Sequence, residues 1–340
     1  MLDIFNSDPF GVVALTDAIN KTKFVPGRIS QLGIFRESSV AVTTVTVEEK
    51  DGILTLVEPT PRGGPGQTVD KGKRNIRAIP IPHFQIDDAI MAEEVQNVRP
   101  FGEESGLETV MAKVDERMQI HSQSMAATQE FARIGAFKGI VTYADGSELN
   151  LFDLFGVSQE SEVDFDLDNA NPESGALRKK CAQVVRQVAN VLDGTPYSHL
   201  LAECDDDFFD DLIANKEVVE SYKGTPMAQV LRDGYVLPDG SKIFGAFEFG
   251  GIVWENYRGK VGNHGFIDQN KCHIAPMGVP GLFRTVYGPA DYVDTVNTLG
   301  RRLYMRQRLM RNDKGVEIDV QMNNLEYCTR PKALIKGKRI

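Results

Sequence analysis

The stretch Glu58–Phe84, EPTPRGGPGQTVDKGKRNIRAIPIPHF, decides how this chain is read. From Pro59 to Asn75 its only aliphatic side chain is Val69, while Gly, Pro, Lys and Arg recur. A segment this poor in apolar surface cannot fold on itself, so it is disordered, bound to a ligand, or held by something else. Its flanks choose among these. Upstream, Ser39–Glu49 (SVAVTTVTVEE) alternates with β-branched residues, Asp51-Gly52 is a tight-turn signal, and Ile53–Pro59 (ILTLVEP) reads as the return strand. Downstream, Asn75–Ile86 (NIRAIPIPHFQI) is again strand-like, with Pro80 and Pro82 suited to an edge or exposed strand. The quoted stretch is therefore the tip of an extended β arm. A lone two-stranded ribbon is only marginally stable in water, so a protruding one calls for contact with another molecule, and self-assembly is the economical source.

Length and composition set the wider frame. A chain of 340 residues exceeds one comfortable core, which predicts two or more domains or one with large extensions. Hydrophobic residues make up 41%, which excludes disorder of the whole chain. The N-terminus carries no secretory pattern and no apolar run is long enough for a transmembrane helix, so assembly in the cytosol is expected. Cys181, Cys204, Cys272 and Cys328 are far apart with no CxxC pair, which fits free thiols rather than a disulfide framework or zinc site. The net charge of −10 is uneven: residues 1–100 carry −2, residues 101–300 carry −15 and residues 301–340 carry +7. An acidic body of this kind is a poor general binder of nucleic acid, and the basic segments lack interleaved aromatics. They suit acidic protein surfaces better.

Along the chain, residues 1–35 hold one short helix candidate, opened by Ser7 or Asp8 with Pro9 in its first turn. From Glu103 to Phe137 apolar residues recur at helical spacing (Leu107, Val110, Met111, Val114, Met118, Met125, Phe131), and Gly139 is a natural stop. This predicts one unusually long helix, its Met-rich stripe a packing face. A short hairpin turning at Asp145-Gly146 follows, then an acidic, linker-like stretch, Ser158–Ser174. Ala176–Gly194 and Asp205–Gly224 read as amphipathic helices, Pro226–Gly234 as a short helix, and Tyr235–Gly259 as strands. Asn270–Tyr292 reads as loop-rich, and three C-terminal strands complete a mixed α+β chain.

No chemical motif closes. Gly66 and Gly72 are separated by five residues rather than four and Lys73 is followed by Arg74, so the phosphate-loop pattern fails. Asp164–Asn169 begins like a calcium loop but has Asn169 where Gly is required and Gly175 where the bidentate Glu belongs. The five histidines, His83, His121, His199, His264 and His273, show no metal-ligand spacing, and no nucleophile elbow is present. Neither an enzyme nor a cofactor is expected.

The order of elements resembles the tailed-phage major capsid protein fold, and the chain is similar to the phage major capsid protein E family, the lambda-type head proteins. Thr43–Gln67 followed by Ile76–Phe84, then Gly224–Gly259, and finally Leu325–Lys338 carry the likeness, which spans nearly the whole chain. It implies an N-terminal arm over 1–35, an extended loop over 36–88 laid on a neighbour, and a peripheral domain over 89–170 with its spine helix at 103–137. It further implies an axial domain over 171–300 and C-terminal strands, 301–340, returning to the peripheral domain. The implied function is an icosahedral virion capsid of hexamers and pentamers, assembled in the host cytoplasm around a separate scaffold protein. A portal and double-stranded DNA inside complete the implied partners, and a decoration protein is left open. No Lys, Asn and Glu cross-linking set can be matched.

Within that frame Arg62, Lys71, Lys73, Arg74 and Arg77 against Asp70 give the loop a net +4, and Glu103, Glu104 and Glu108 open the spine helix. The loop is expected to dock on acidic surface of the adjacent subunit. Alternatives are another self-assembling phage protein such as a tail tube, an encapsulin-type compartment, or an arm-exchanged oligomeric enzyme.

Overall fold

The computed structural model describes residues 27–50, 74–95, 106–169, 171–221, 235–236, 242–243, 245–261, 264–312 and 314–340. Among the described residues between Phe35 and Met91 lie four strands: β1 (Phe35–Ser39), β2 (Thr44–Lys50), β3 (Arg74–Pro80) and β4 (His83–Met91). The prolines divide the run Asn75–Ile86. Pro80 ends β3 and Pro82 precedes β4, so its two halves serve different sheets. The partner of β2 is β3, in a seven-residue antiparallel ladder from Thr44↔Pro80 to Lys50↔Arg74. The predicted turn at Asp51-Gly52 and return strand Ile53–Pro59 lie outside the described residues, as do the N-terminal helix candidate and Pro226–Gly234.

The long helix runs over Gly106–Lys138, 33 residues. Val114, Met118, Met125, Ala132 and Ala136 are buried at steps of four and seven residues, the packing face the periodicity predicts. Gly139 terminates it in the left-handed region at φ +88°, its N–H bonded to the Ala136 carbonyl. β5 (Ile140–Thr142) and β6 (Glu148–Asn150) then form the hairpin around Asp145-Gly146. Asn150 accepts from the N–H groups of Phe152 and Asp153, capping the helix Leu151–Phe155.

Ser158–Ser174 departs from the linker expectation. Val163–Asp164 (β7) joins a sheet, Phe165 and Leu167 are buried, and Glu162 and Asp164 are held by Lys271, Lys336 and Lys338 at 2.7–3.0 Å. Acidic composition suggested solvent exposure; lysines more than 100 residues away supply the partners. The helix Ala176–Leu192 follows, then β8 (His199–Cys204). Asp205–Gly224, predicted as one helix, is broken at Asn215 into Asp206–Ala214 and Lys216–Ser221.

Short ribbons β9 (Tyr235–Val236) with β10 (Lys242–Ile243), and β13 (Lys260–Val261) with β14 (His264–Gly265), flank β11 (Ala246–Phe249) and β12 (Ile252–Asn256). The region predicted as loop contains two well-paired strands, β15 (Lys271–Met277) and β16 (Phe283–Tyr287). Pro276 is tolerated because Met277 turns its carbonyl to Ser198 on the β8 side, so Pro276 faces the other side, where pairing ends at Ile274. β17 (Tyr304–Leu309), β18 (Gly315–Cys328) and β19 (Ile335–Lys338) complete the chain.

Two sheets organise these elements. The first has the order β1-β16-β18-β17, with β4 also paired to β18. Fourteen residues long, β18 is the spine of that sheet, and the long helix packs along it. The second has the order β11-β12-β8-β15-β19-β7, with the helices Ala176–Leu192 and Asp206–Ala214 sharing its core. Trp254, Phe208 and Phe165 centre that core, with ring centroids 5.4–5.9 Å apart. Two strands join sheets away from their neighbours in sequence. β16, within 171–300, belongs to the first sheet, and the last C-terminal strand, β19, pairs with β15 and β7 in the second. Short strands of similar composition carry no local mark of which sheet they join.

Candidate assembly arm and the junction that anchors it

β2 and β3 belong to neither main sheet, so their outer backbone edges have no ladder partner among the described residues. The base of this ribbon is fixed: Val45 and Ile79 are buried in the core that also holds Phe35, Phe137 and Phe283. The backbone bond Ile81 N to Thr43 O closes the ribbon at its base, and Val40 N to Tyr287 O and Gly300 N to Val40 O tie the chain before β2 to β16 and to the segment ahead of β17, each at 2.9 Å.

The predicted docking residues distribute as follows. Arg62, Lys71, Lys73, Glu103 and Glu104 lie outside the described residues. Arg74 opens β3 opposite Lys50, and Glu108 is in the first turn of the long helix. Arg77 stands opposite Val47, half-buried, its guanidinium close enough to Gly156 that a Cβ there would sit 3.0 Å from a nitrogen. Within one chain Arg77 thus packs at the ribbon base; docking of the basic set on the acidic set would be an event between chains.

Sequence reasoning missed a polar junction beneath the arm. Glu130 is only 3% exposed, and its carboxylate accepts from Ile29 N at 2.7 Å, Ser30 N at 3.0 Å, Ser30 Oγ at 2.5 Å and Tyr257 Oη at 2.9 Å. One side chain of the long helix therefore holds the short helix Arg28–Gln31 and the segment after β12. Arg28 reaches on to Glu255 in a two-point ion pair of 2.5 and 3.1 Å. Arg133 completes the other side, bonding Glu37 at 2.6 Å and Ser30 Oγ at 3.0 Å while lying over the Phe35 ring. The signal available was a carboxylate in the most apolar third of the long helix; its partners lie about 100 or more residues away and left no local pattern.

Beside this junction Glu255, Glu203, His273 and Lys336 stand in register across β12, β8, β15 and β19. Burial, with the charge of Glu255 next to it, pushes the Glu203 carboxyl well above the usual range. Burial and three lysines, Lys138, Lys336 and Lys271, push His273 well below its usual value. Both shifts favour the uncharged form, as burial in a crowded row dictates. A cavity of about 430 Å³ borders the junction, lined by Arg28, Gln123, Glu130, Tyr257 and Lys260 among others. Its carboxylates are engaged in structural bonds, and no cluster of three or more metal-ligating side chains exists among the described residues. The arrangement holds elements together and offers no nucleophile with a base.

The two-sheet body, the long helix and the anchored ribbon standing apart from both sheets set the frame for comparison with known proteins. The family model described as phage major capsid protein E matches residues 11–339. The chain belongs to the phage major capsid protein E family. Two relatives are both major capsid proteins. That of Pseudomonas phage KPP10 is 28% identical over 97% of each chain, and that of Salmonella phage Felix O1 is 25% identical over 98% of each. Among solved structures, a protein assigned as the capsid protein of a prophage in E. coli CFT073 matches with a TM-score of 0.59 over 95% of this chain and 96% of its own, at 13% identity. The capsid of Myoviridae phage XM1 matches at 0.51 over 94% of each chain, at 9% identity. The fold is that of tailed-phage capsid proteins. As a member of this family the chain is a structural protein of a phage or prophage head, assembling with copies of itself into a shell.

Proposed function

We propose that this capsid chain builds an icosahedral shell of hexamers and pentamers, assembled in the host cytoplasm around a separate scaffold protein and later enclosing double-stranded DNA. A portal at one vertex and a decoration protein on the surface fit the same scheme. The β2–β3 ribbon is the clasp: a two-stranded ladder outside both main sheets is stable only with further contact, and a neighbouring subunit supplies it. In domain terms, the first sheet with the long helix is the peripheral part, and the second sheet with its helices is the axial part surrounding each capsomer centre. The basic residues Arg62, Lys71, Lys73 and Arg74 then meet acidic surface of the adjacent subunit, and the acidic body keeps the inner wall from gripping the genome.

The test is negative-stain electron microscopy and sedimentation of the purified chain, expressed with and without the neighbouring scaffold gene. Closed shells or capsomer-sized rings are expected, with shell yield rising when scaffold is present. A small discrete oligomer under every condition would overturn the reading.

A further inference from the structure

Val293, Val296 and Leu299 are 87%, 63% and 65% exposed, three branched aliphatic side chains within one short segment between β16 and β17. Single exposed apolar residues are ordinary on protein surfaces and need no account; a group of this density does. Val42, also exposed, lies by the same segment: the Val40 carbonyl takes the Gly300 N–H, and a Cβ on Gly288 would sit 3.6 Å from the Val42 carbonyl oxygen.

The segment is stapled rather than loose. Thr295 Oγ1 donates to the Ala290 carbonyl at 2.7 Å and accepts from Tyr292 N at 3.3 Å. Thr298 Oγ1 bonds the Thr295 carbonyl at 2.8 Å, and Tyr292, Ala290 and Tyr304 form a small buried cluster beneath. With the turn held from inside by threonine and tyrosine, the three aliphatic side chains are left facing water in a fixed arrangement. A segment that only had to connect two strands would gain from polar residues at those positions, so their solvation cost in the free chain points to a partner that removes it.

We infer that this apolar knob is a subunit–subunit contact in which a second copy of the chain covers Val293, Val296 and Leu299. The size of the patch selects the occupant. Its area is on the order of 300 Å², the scale of the largest patch on an ordinary monomer but well under the ~800 Å² each partner of a standard stable dimer buries. Alone it is too small for a discrete dimer. As one of several contacts made by each subunit of a closed shell it is sufficient, and the charged groove beside it, lined by Asp87, Tyr292, Arg306 and Asp319, supplies a polar rim. The inference rests on the shell reading above.

Two measurements test it. The triple change Val293→Asp, Val296→Asp and Leu299→Asp should leave the melting temperature of the unassembled chain within about 2 °C, since surface substitutions rarely matter to folding, while lowering the yield of shells at least tenfold. Val219→Asp, at an exposed position on the helix Lys216–Ser221, should assemble normally. Independently, Val293→Cys offers a single reactive thiol, because all four native cysteines are buried. Maleimide labelling should be at least tenfold slower in shells made of this chain alone than in the unassembled chain, with Val219→Cys as the accessible reference. Normal shells from the triple variant, or equal labelling rates at position 293 in both states, would overturn the assignment. A wild-type chain that never forms shells would instead overturn the shell reading, and the contact with it.

Discussion

Replacing Glu130 by alanine tests whether the junction beneath the arm holds the fold together. The carboxylate accepts four hydrogen bonds, two of them from backbone N–H groups in the first turn of the helix Arg28–Gln31. Each hydrogen bond to a charged group contributes about 1.5–3 kcal/mol net. The four share two oxygens and relax together, so the loss is less than their sum. With buried donors left unpaired, Glu130→Ala should cost about 3–5 kcal/mol, the range for removing one partner of a buried charged network. The assay is thermal unfolding of the unassembled chain, where a fall of roughly 5–10 °C is expected for that loss. Limited trypsin digestion adds a local readout, since cleavage after Arg28 should accelerate once the turn is no longer pinned. Glu130→Gln keeps one acceptor oxygen and should fall between wild type and alanine. A Glu130→Ala chain within 1 kcal/mol of wild type, with unchanged cleavage at Arg28, would refute the reasoning.

Three further outcomes are expected. Burial pushes Glu326 up to about 7, so the folded chain holds a proton that the unfolded chain releases near 4.5. Its contribution is fully present below 4.5 and is lost as pH rises to about 7, roughly 3 kcal/mol in all, so Glu326→Gln should raise stability at pH 8, change little at pH 4.5, and flatten the pH profile of unfolding between them. A Cβ on Gly337 would lie 2.5 Å from Cys272 Sγ and 2.7 Å from the Phe165 ring, so Gly337→Ala should destabilise by about 1–3 kcal/mol in denaturant titrations, whereas Gly146→Ala, with open space around it, should show backbone strain alone. Reversing charge at Lys71, Lys73 and Arg74 should reduce shell yield and make residual assembly less sensitive to salt; assembly unchanged across 50–500 mM salt, read by sedimentation, would remove the electrostatic docking of the arm.

Much of the architecture was legible because it is written in local pattern. The long helix follows from a sustained 3.6-residue period closed by Gly139, and the hairpin around Asp145-Gly146 from turn chemistry. Those features depend on neighbours a few residues away. The tertiary structure decided what depends on distant ones. It sent β19 to the second sheet and β16 to the first, made a sheet edge of the acidic stretch through Lys271, Lys336 and Lys338, and turned β15 from a proline-marked loop into a central strand because pairing on one side ends before Pro276. It also placed Glu130 against the N–H groups of Ile29 and Ser30, and set Val293, Val296 and Leu299 outward on a stapled turn. Burial and hydrogen-bond partnership are set by packing across the whole chain, and no local window of sequence contains them.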